Sequence, residues 1–251
     1  MVTTAAGPGT PRRDRFTSKT QAAARFVAQR GILKPVAWST VKVTVVGAKK
    51  LRGLPKAFVA VANHSSHLDA PLVLGALPRK HARYLAAGAA ADYFFDVWWR
   101  RGLTALFFNA FPVDRGGVNP RSVSAKSLLE RGVPLLVFPE GTRSKTGEMG
   151  HFKPGAASLA IATEVPIVPI ALVGAGIAHP RGSSWPKRGR LPVGVVFGEP
   201  MRAEEGETSA AFIGRVRAQI VHLHEAYAPR ILSASPGQAP GAHPSPEGER
   251  P

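Results

Sequence analysis

No cysteine occurs anywhere in the 251 residues. Disulfides, thiol nucleophiles and cysteine-ligated zinc are therefore excluded, while the redox compartment is left open. Long apolar runs are also missing. The longest candidate, Gly155 to Ala178, is broken by Glu164, Pro166 and Pro169, short of the roughly 18 uninterrupted apolar residues of a spanning helix. Arg12, Arg13, Arg15 and Lys19 have no apolar core behind them, so no secretory signal is expected. Acidic residues are scarce, with 16 Asp and Glu against 33 Lys and Arg, a formal net charge of +17. Such a surface favours anionic partners, and charge alone does not separate nucleic acid, acidic lipid headgroups and phosphorylated substrates. A cytoplasmic location, peripheral at the inner face of the membrane, is the expectation.

What is present suits one globular domain with loose ends. Hydrophobic residues make up 44% of the chain, and the prolines are densest beyond Ala228. Residues 1–17 are expected to form a disordered basic N-terminus, 18–228 the domain with its motif-bearing core at 53–172, and 229–251 a disordered Pro-rich tail. A helix over Lys19 to Arg30 is predicted to pack on the domain by Ala22, Phe26 and Val27, with Lys19, Arg25 and Arg30 as its basic face; docking on a membrane surface is the alternative.

Beyond it strands and helices alternate. Val41 to Val46 alternates β-branched and polar residues, Ala57 to Ala62 is continuously apolar, and Pro71 to Leu77 suits a short helix. Tyr84 to Ala87 reads as a weak strand, Tyr93 to Leu103 as an aromatic helix and Leu106 to Val113 as extended. Asn119-Pro120 supplies a helix start and Gly132 a stop. Strands follow at Leu135 to Phe138, Ile167 to Val173 and Val193 to Phe197. Helices are expected over Ala156 to Thr163 and from about Ser209. The alternation predicts a single α/β layered domain with a mixed, partly parallel sheet flanked by helices.

Four blocks carry chemistry or shape. In Asn63-His64-Ser65-Ser66-His67-Leu68-Asp69, His64 and Asp69 stand about 140° apart on a continuous helix. They pair only if the strand ends near Asn63, Ser65 or Ser66 caps a helix, and the chain bends between them. Asp69 would then hold one ring nitrogen and leave the other to take a proton. His67 is the alternative base, and a loop histidine beside a helix cap is the plain alternative. In Phe111-Pro112-Val113-Asp114-Arg115-Gly116-Gly117, Arg115 beside paired glycines suits either a phosphate contact or a solvated turn. In Phe138-Pro139-Glu140-Gly141-Thr142-Arg143-Ser144, Glu140 and Arg143 follow a buried strand, where ligands gather in open α/β sheets. An ion pair fixing a turn is the other reading. Lys153 and Gly155 add a second phosphate contact. Val165 to Leu172 is a hydrophobic wall, or the lining of an acyl site.

Together and in this order the four blocks resemble the glycerolipid acyltransferase family, whose familiar members are the lysophosphatidate acyltransferases. The resemblance spans about Gly53 to Leu172. It is strong at the first and third blocks, departs at Val113 where isoleucine is commoner, and is loose in the fourth. It implies His64 as base, Asp69 as its orienting partner, and Arg115, Glu140, Gly141, Thr142 and Arg143 as the acceptor-phosphate site. The implied reaction moves an acyl group from acyl-CoA or acyl carrier protein to the hydroxyl of a lysophospholipid such as lysophosphatidate, in phospholipid biosynthesis. No cofactor or metal is implied, and the acceptor hydroxyl is itself the nucleophile. The lack of a G-x-S-x-G motif is consistent with that. The expected partners are acyl donor, lysophospholipid acceptor and an anionic membrane surface, and no nucleic acid. The same chemistry on another lipid or a glycolipid is the alternative, and a basic nucleic-acid-binding protein a remote one. Tyr93, Phe94, Phe95, Trp98 and Trp99 beside Arg100 and Arg101 suit core packing or a membrane interface.

Overall fold

The computed structural model describes residues 15–90, 106–113, 124–144 and 146–233. Seven strands form one sheet: β1 (Lys42–Val46), β2 (Val59–Ala62), β3 (Ala86–Ala90), β4 (Phe111–Val113), β5 (Leu135–Val137), β6 (Ile167–Val173) and β7 (Pro192–Phe197). Their spatial order is β1-β7-β6-β2-β5-β3-β4. β6, β2, β5, β3 and β4 run parallel, β7 is antiparallel to β6, and β1 is parallel to β7. The expected mixed, partly parallel α/β layer is therefore found.

The residues of β2, Val59-Ala60-Val61-Ala62, are all buried. Small and β-branched side chains suit a strand covered on both faces. Val59 and Val61 pack with Leu135, Ile167 and Ala171 into one core. That core is covered by α5 (Ala125–Glu130), α6 (Gly155–Ala162) and α8 (Ser209–Leu232), through Leu128, Ala157 and Phe212 among others. Ala60 and Ala62 face the opposite core, with Leu136 and Leu172, under α3 (Asp69–Ala76) and α4 (Arg79–Ala82). Period-2 alternation along each strand thus feeds two hydrophobic layers.

Several boundaries depart from expectation. Helical structure does not stop at Arg30: α1 (Lys19–Ala28) continues through a π turn at Gln29–Leu33 into α2 (Lys34–Thr40). Ala22 is buried as expected, but Arg25 and Val27 trade places: Arg25 is 2% exposed and Val27 67%. The Arg25 guanidinium donates to the carbonyls of Arg83 at 2.8 Å and Arg15 at 3.1 Å, which makes its burial tolerable. Phe16 lies in the core, so the ordered domain begins before residue 18. At the other end α8 runs through Pro229 to Leu232, where Ile231 packs over Gly194. The tail boundary at 229 is four residues early because burial of Ile231 outweighs the proline. Residues 106–108 are helical rather than extended, and only Phe111–Val113 is strand. Gly132, with φ +80, ends α5 as predicted, whereas Asn119-Pro120 and Tyr93 to Leu103 lie outside the described residues.

His81 in α4 is buried edge-on against Phe58, with ring centroids 5.2 Å apart. Its Nε2 has no partner among the described residues. Burial, followed by the charge of Lys80, pushes its pKa from 6.5 down to about 4. The unfolded chain takes up a proton near 6.5 while the folded ring resists until about 4. Stability from this group is complete above that window and is lost as pH falls through it. In His81→Phe, the fall in Tm between pH 6.5 and 4 should flatten. A fall as steep as in the parent would show that other groups carry it.

Candidate active site

The first block leaves the sheet at the carboxyl end of its central strand. Asn63 extends β2 by one step with its side chain: Nδ2 donates to the Leu172 carbonyl at 2.9 Å, and Oδ1 accepts from the Leu172 N–H at 2.7 Å. The chain then turns, and the turn closes on one oxygen. Asp69 Oδ2 lies 2.8 Å from His64 Nδ1 and accepts the N–H groups of Ser65 at 2.7 Å and Ser66 at 2.8 Å. Asp69 is wholly buried at the first position of α3, where the helix dipole favours an anion. The expected pairing of His64 with Asp69 is thus present, although neither serine caps α3 by its side chain. Ser66 Oγ instead accepts from the Leu68 N–H and donates to the His179 carbonyl.

An ionised carboxylate only accepts, so its bond to His64 assigns the ring hydrogen to Nδ1 and leaves Nε2 with the lone pair. Among the described residues nothing bonds to Nε2. The His64 side chain is 23% exposed, and its ring stacks on Phe138 with centroids 4.2 Å apart. His67 makes no bond to Asp69; its ring tilts over His179 at 5.8 Å. Desolvation first, then Arg143 and His179, lower its pKa.

The third block grips the backbone of His64 from the β5 side. Glu140 Oε1 accepts the His64 N–H at 2.7 Å, and Oε2 accepts the Gly150 N–H at 3.2 Å. The Ser144 N–H donates to the His64 carbonyl at 2.8 Å. Burial raises the pKa of Glu140, with these N–H bonds opposing. Glu140 therefore joins two loops; its place in a phosphate site is not supported, because both oxygens are engaged and a carboxylate repels phosphate. Nor does it pair with Arg143 as an ion pair, since its partners are backbone. Gly141 adopts φ +75, and a Cβ there would lie 3.2 Å from Lys153 Nζ. The absence of a side chain lets that ammonium approach the loop. Thr142 is exposed and Arg143 half-buried, while Arg115 lies outside the described residues. No group of three or more His, Asp or Glu residues able to hold a metal occurs among the described residues.

Two contacts escaped sequence reasoning. Gly176, in α7 (Ala175–Ala178), presses on Ser65, where an added Cβ would sit 3.1 Å from the serine Cβ. Arg181 Nη1 donates to the Arg143 carbonyl at 3.0 Å. Both come from a segment with no periodic or motif signal, and only tertiary proximity reveals them.

Asp69→Asn should disturb the turn more than its near-identical shape suggests. An amide offers one accepting oxygen of lower charge, so a loss of about 1–3 kcal/mol is expected in chemical denaturation. The His64 ring should lose its single tautomer in long-range 1H–15N spectra. Unchanged ring shifts would show that Asp69 does not set the tautomer.

The Acyltransferase family model matches residues 42–173, about half the chain. A 1-acyl-sn-glycerol-3-phosphate acyltransferase of Chlamydomonas reinhardtii is 35% identical over 143 residues, which is 56% of this chain and 41% of that protein. One from Pseudomonas aeruginosa is 37% identical over 123 residues, covering 47% and 43%. The chain spans less than half the length of these two relatives. Among solved structures, the 1-acyl-sn-glycerophosphate acyltransferase PlsC from Thermotoga maritima aligns with a TM-score of 0.64 at 25% identity, covering 84% of this chain and 85% of that one. With blocks 63–69 and 138–144 brought together around one histidine and the family match running from β1 to the end of β6, the chain belongs to the Acyltransferase family.

Proposed function

We propose that this protein is an O-acyltransferase that moves a fatty acyl group from a thioester, of CoA or acyl carrier protein, to the free hydroxyl of a lysophospholipid such as lysophosphatidate. The observation that carries the reading is His64 held through Nδ1 by a buried carboxylate, with Nε2 unengaged among the described residues. Nε2 takes the hydroxyl proton as the acceptor oxygen attacks the thioester carbonyl. The tetrahedral oxyanion collapses, the C–S bond breaks, and the thiolate leaves with the proton from the imidazolium. Asp69 stabilises that imidazolium without taking the proton. Because the acceptor hydroxyl attacks directly, no acyl-enzyme is formed.

Arg143 and Lys153, with Gly141 and Thr142 on the same loop, supply the acceptor-phosphate site, joined by Arg115. A guanidinium fork matches phosphate geometry, and the ammonium adds a point charge. Glu140 serves by fixing His64 rather than by touching phosphate. A membrane contact fits the same substrate. Val27, Ile32 and Val36 are 67%, 57% and 55% exposed, on the helices that also carry Arg30 and Lys34. Burial first lowers the pKa values of both groups, followed by the charge of Arg79 at Arg30 and those of Arg30 and Arg79 at Lys34. An apolar strip among cations suits peripheral binding to an anionic leaflet at the inner face of the cell membrane. No helix among the described residues is long and apolar enough to cross a membrane.

Thiol release from acyl-CoA against a panel of lysophospholipids and other lipid alcohols tests reaction and acceptor together. His64→Ala should lower kcat by about 10³-fold or more with the circular dichroism spectrum unchanged; near-normal turnover would remove the base. Arg143→Ala should raise the KM of a phosphate-bearing acceptor about tenfold or more. An acceptor KM that stays put would exclude a phosphate contact there.

A further inference from the structure

The sheet order sets two flanks around His64. The third block, and β4 beyond it, lie on the β5 side of β2, whereas β6 and β7 lie on the other. A two-substrate transfer needs two anionic ligands to converge on one base. The β6 flank carries its own cations, on the segment between α7 and β7.

That segment is held in place. The Lys187 N–H donates to the Ala178 carbonyl at 2.8 Å, closing a loop at its neck. His179 Nε2 bonds the Ser183 carbonyl at 3.0 Å, and Ser183 Oγ donates to the Trp185 carbonyl at 2.7 Å. Arg190 Nη2 reaches the Trp38 carbonyl at 3.0 Å. The neck adjoins the catalytic turn through Ser66 Oγ on the His179 carbonyl and the third block through Arg181 on the Arg143 carbonyl, each at 3.0 Å.

Its surface is unbalanced. No acidic residue occurs from Gly174 to Gly198. Arg181, Lys187, Arg188 and Arg190 are all exposed, and none has a carboxylate partner among the described residues. Trp185 is 75% exposed, an indole of this size left in water on a loop fastened at its neck. Gly182, Ser183, Ser184, Pro186 and Gly189 offer no apolar wedge beside it. One planar aromatic face among four cations suits a purine with phosphates better than it suits insertion into a bilayer.

We infer that the loop from Ala178 to Arg190 is the docking site for the nucleotide of a CoA thioester, with Trp185 stacking on the adenine and Lys187 and Arg188 meeting its phosphates. The inference rests on the acyl-transfer reading for its biological sense, but binding can be measured without turnover. The donor's thioester would then approach His64 from the β6 flank while the acceptor phosphate is held on the β5 flank.

The test is isothermal titration of the full chain with CoA and with pantetheine, which lacks the nucleotide and every phosphate. Trp185→Ala and the double variant Lys187→Ala with Arg188→Ala change only exposed side chains, and circular dichroism checks their folding. Each should weaken CoA binding about tenfold, the range of one lost base stack or charged phosphate contact. Neither should alter pantetheine binding. In turnover the KM for acyl-CoA should rise about as much, with kcat and the acceptor KM unchanged. Parental CoA affinity in both variants, or equal losses for the two ligands, would overturn the inference. So would a loss confined to phosphatidylglycerol vesicles, which would make the loop a bilayer contact, or to acyl carrier protein turnover, which would make it a protein-docking face. A parent that transfers from no thioester but binds CoA through Trp185 would refute the enzymatic reading and keep this one.

Discussion

A single oxygen organises the site. Asp69 Oδ2 gathers the His64 ring and the N–H groups of Ser65 and Ser66, so one buried carboxylate both shapes the turn and selects the histidine tautomer. The two tasks reinforce each other. The backbone N–H groups fix where Oδ2 sits, and that carboxylate oxygen takes the Nδ1 hydrogen. The second oxygen, Oδ1, is buried without a partner among the described residues, so the energetic balance rests on Oδ2 and on the start of α3.

The turn itself hangs between two strands. Asn63 ties it to β6 with a paired amide contact to Leu172, and Glu140 and Ser144 tie it to the loop after β5 through both backbone groups of His64. β2 is central, flanked by parallel strands on both sides, and this topology brings three carboxyl ends together. A histidine placed there is fixed by backbone contacts on each side before any ligand arrives, which is the preorganisation that proton transfer needs. Glu140 shows why a motif residue need not touch substrate: its burial and its two N–H partners make it a brace.

Much of this was legible in the chain. Period-2 alternation marked β1, short apolar runs marked β2, β5, β6 and β7, and the spacing from His64 to Asp69 required a bend that the structure contains. The layered α/β class followed from the alternation. What could not be read depends on tertiary context. Arg25 looks like a surface cation until two carbonyls from distant segments are brought to it, and Pro229 looks like a helix end until Ile231 is buried against Gly194. Glu140 resembled a ligand-binding acid because sequence gives residue type and position but not which N–H groups converge on a carboxylate. The stretch from α7 onward carried no periodicity, so its approach to Ser65 and Arg143 was invisible.

The buried arginine also explains how the sheet edge is held. β4 is only three residues long and pairs with β3 on one side; a strand this short contributes few ladder bonds of its own. Side chains supply the rest. Arg15 donates to the Ala110 carbonyl, Gln29 to that of Phe107 at 2.8 Å, Arg25 to that of Arg83, and Asn109 joins the two segments through the Tyr84 carbonyl at 3.2 Å. Arg25 has no carboxylate partner among the described residues. Desolvation and the charge of Arg15 lower its pKa only to about 10, so it stays protonated at neutral pH and its bonds remain charge-assisted. The inward turn of Arg25 on α1 is therefore what the edge strand requires. Turning Arg25 inward fastens the segments that lead into β3 and β4, and turning it outward would take its guanidinium from the carbonyls of Arg83 and Arg15. Val113 ends that strand two residues before Arg115, so the helix that carries the exposed apolar strip also steadies the route to the second block.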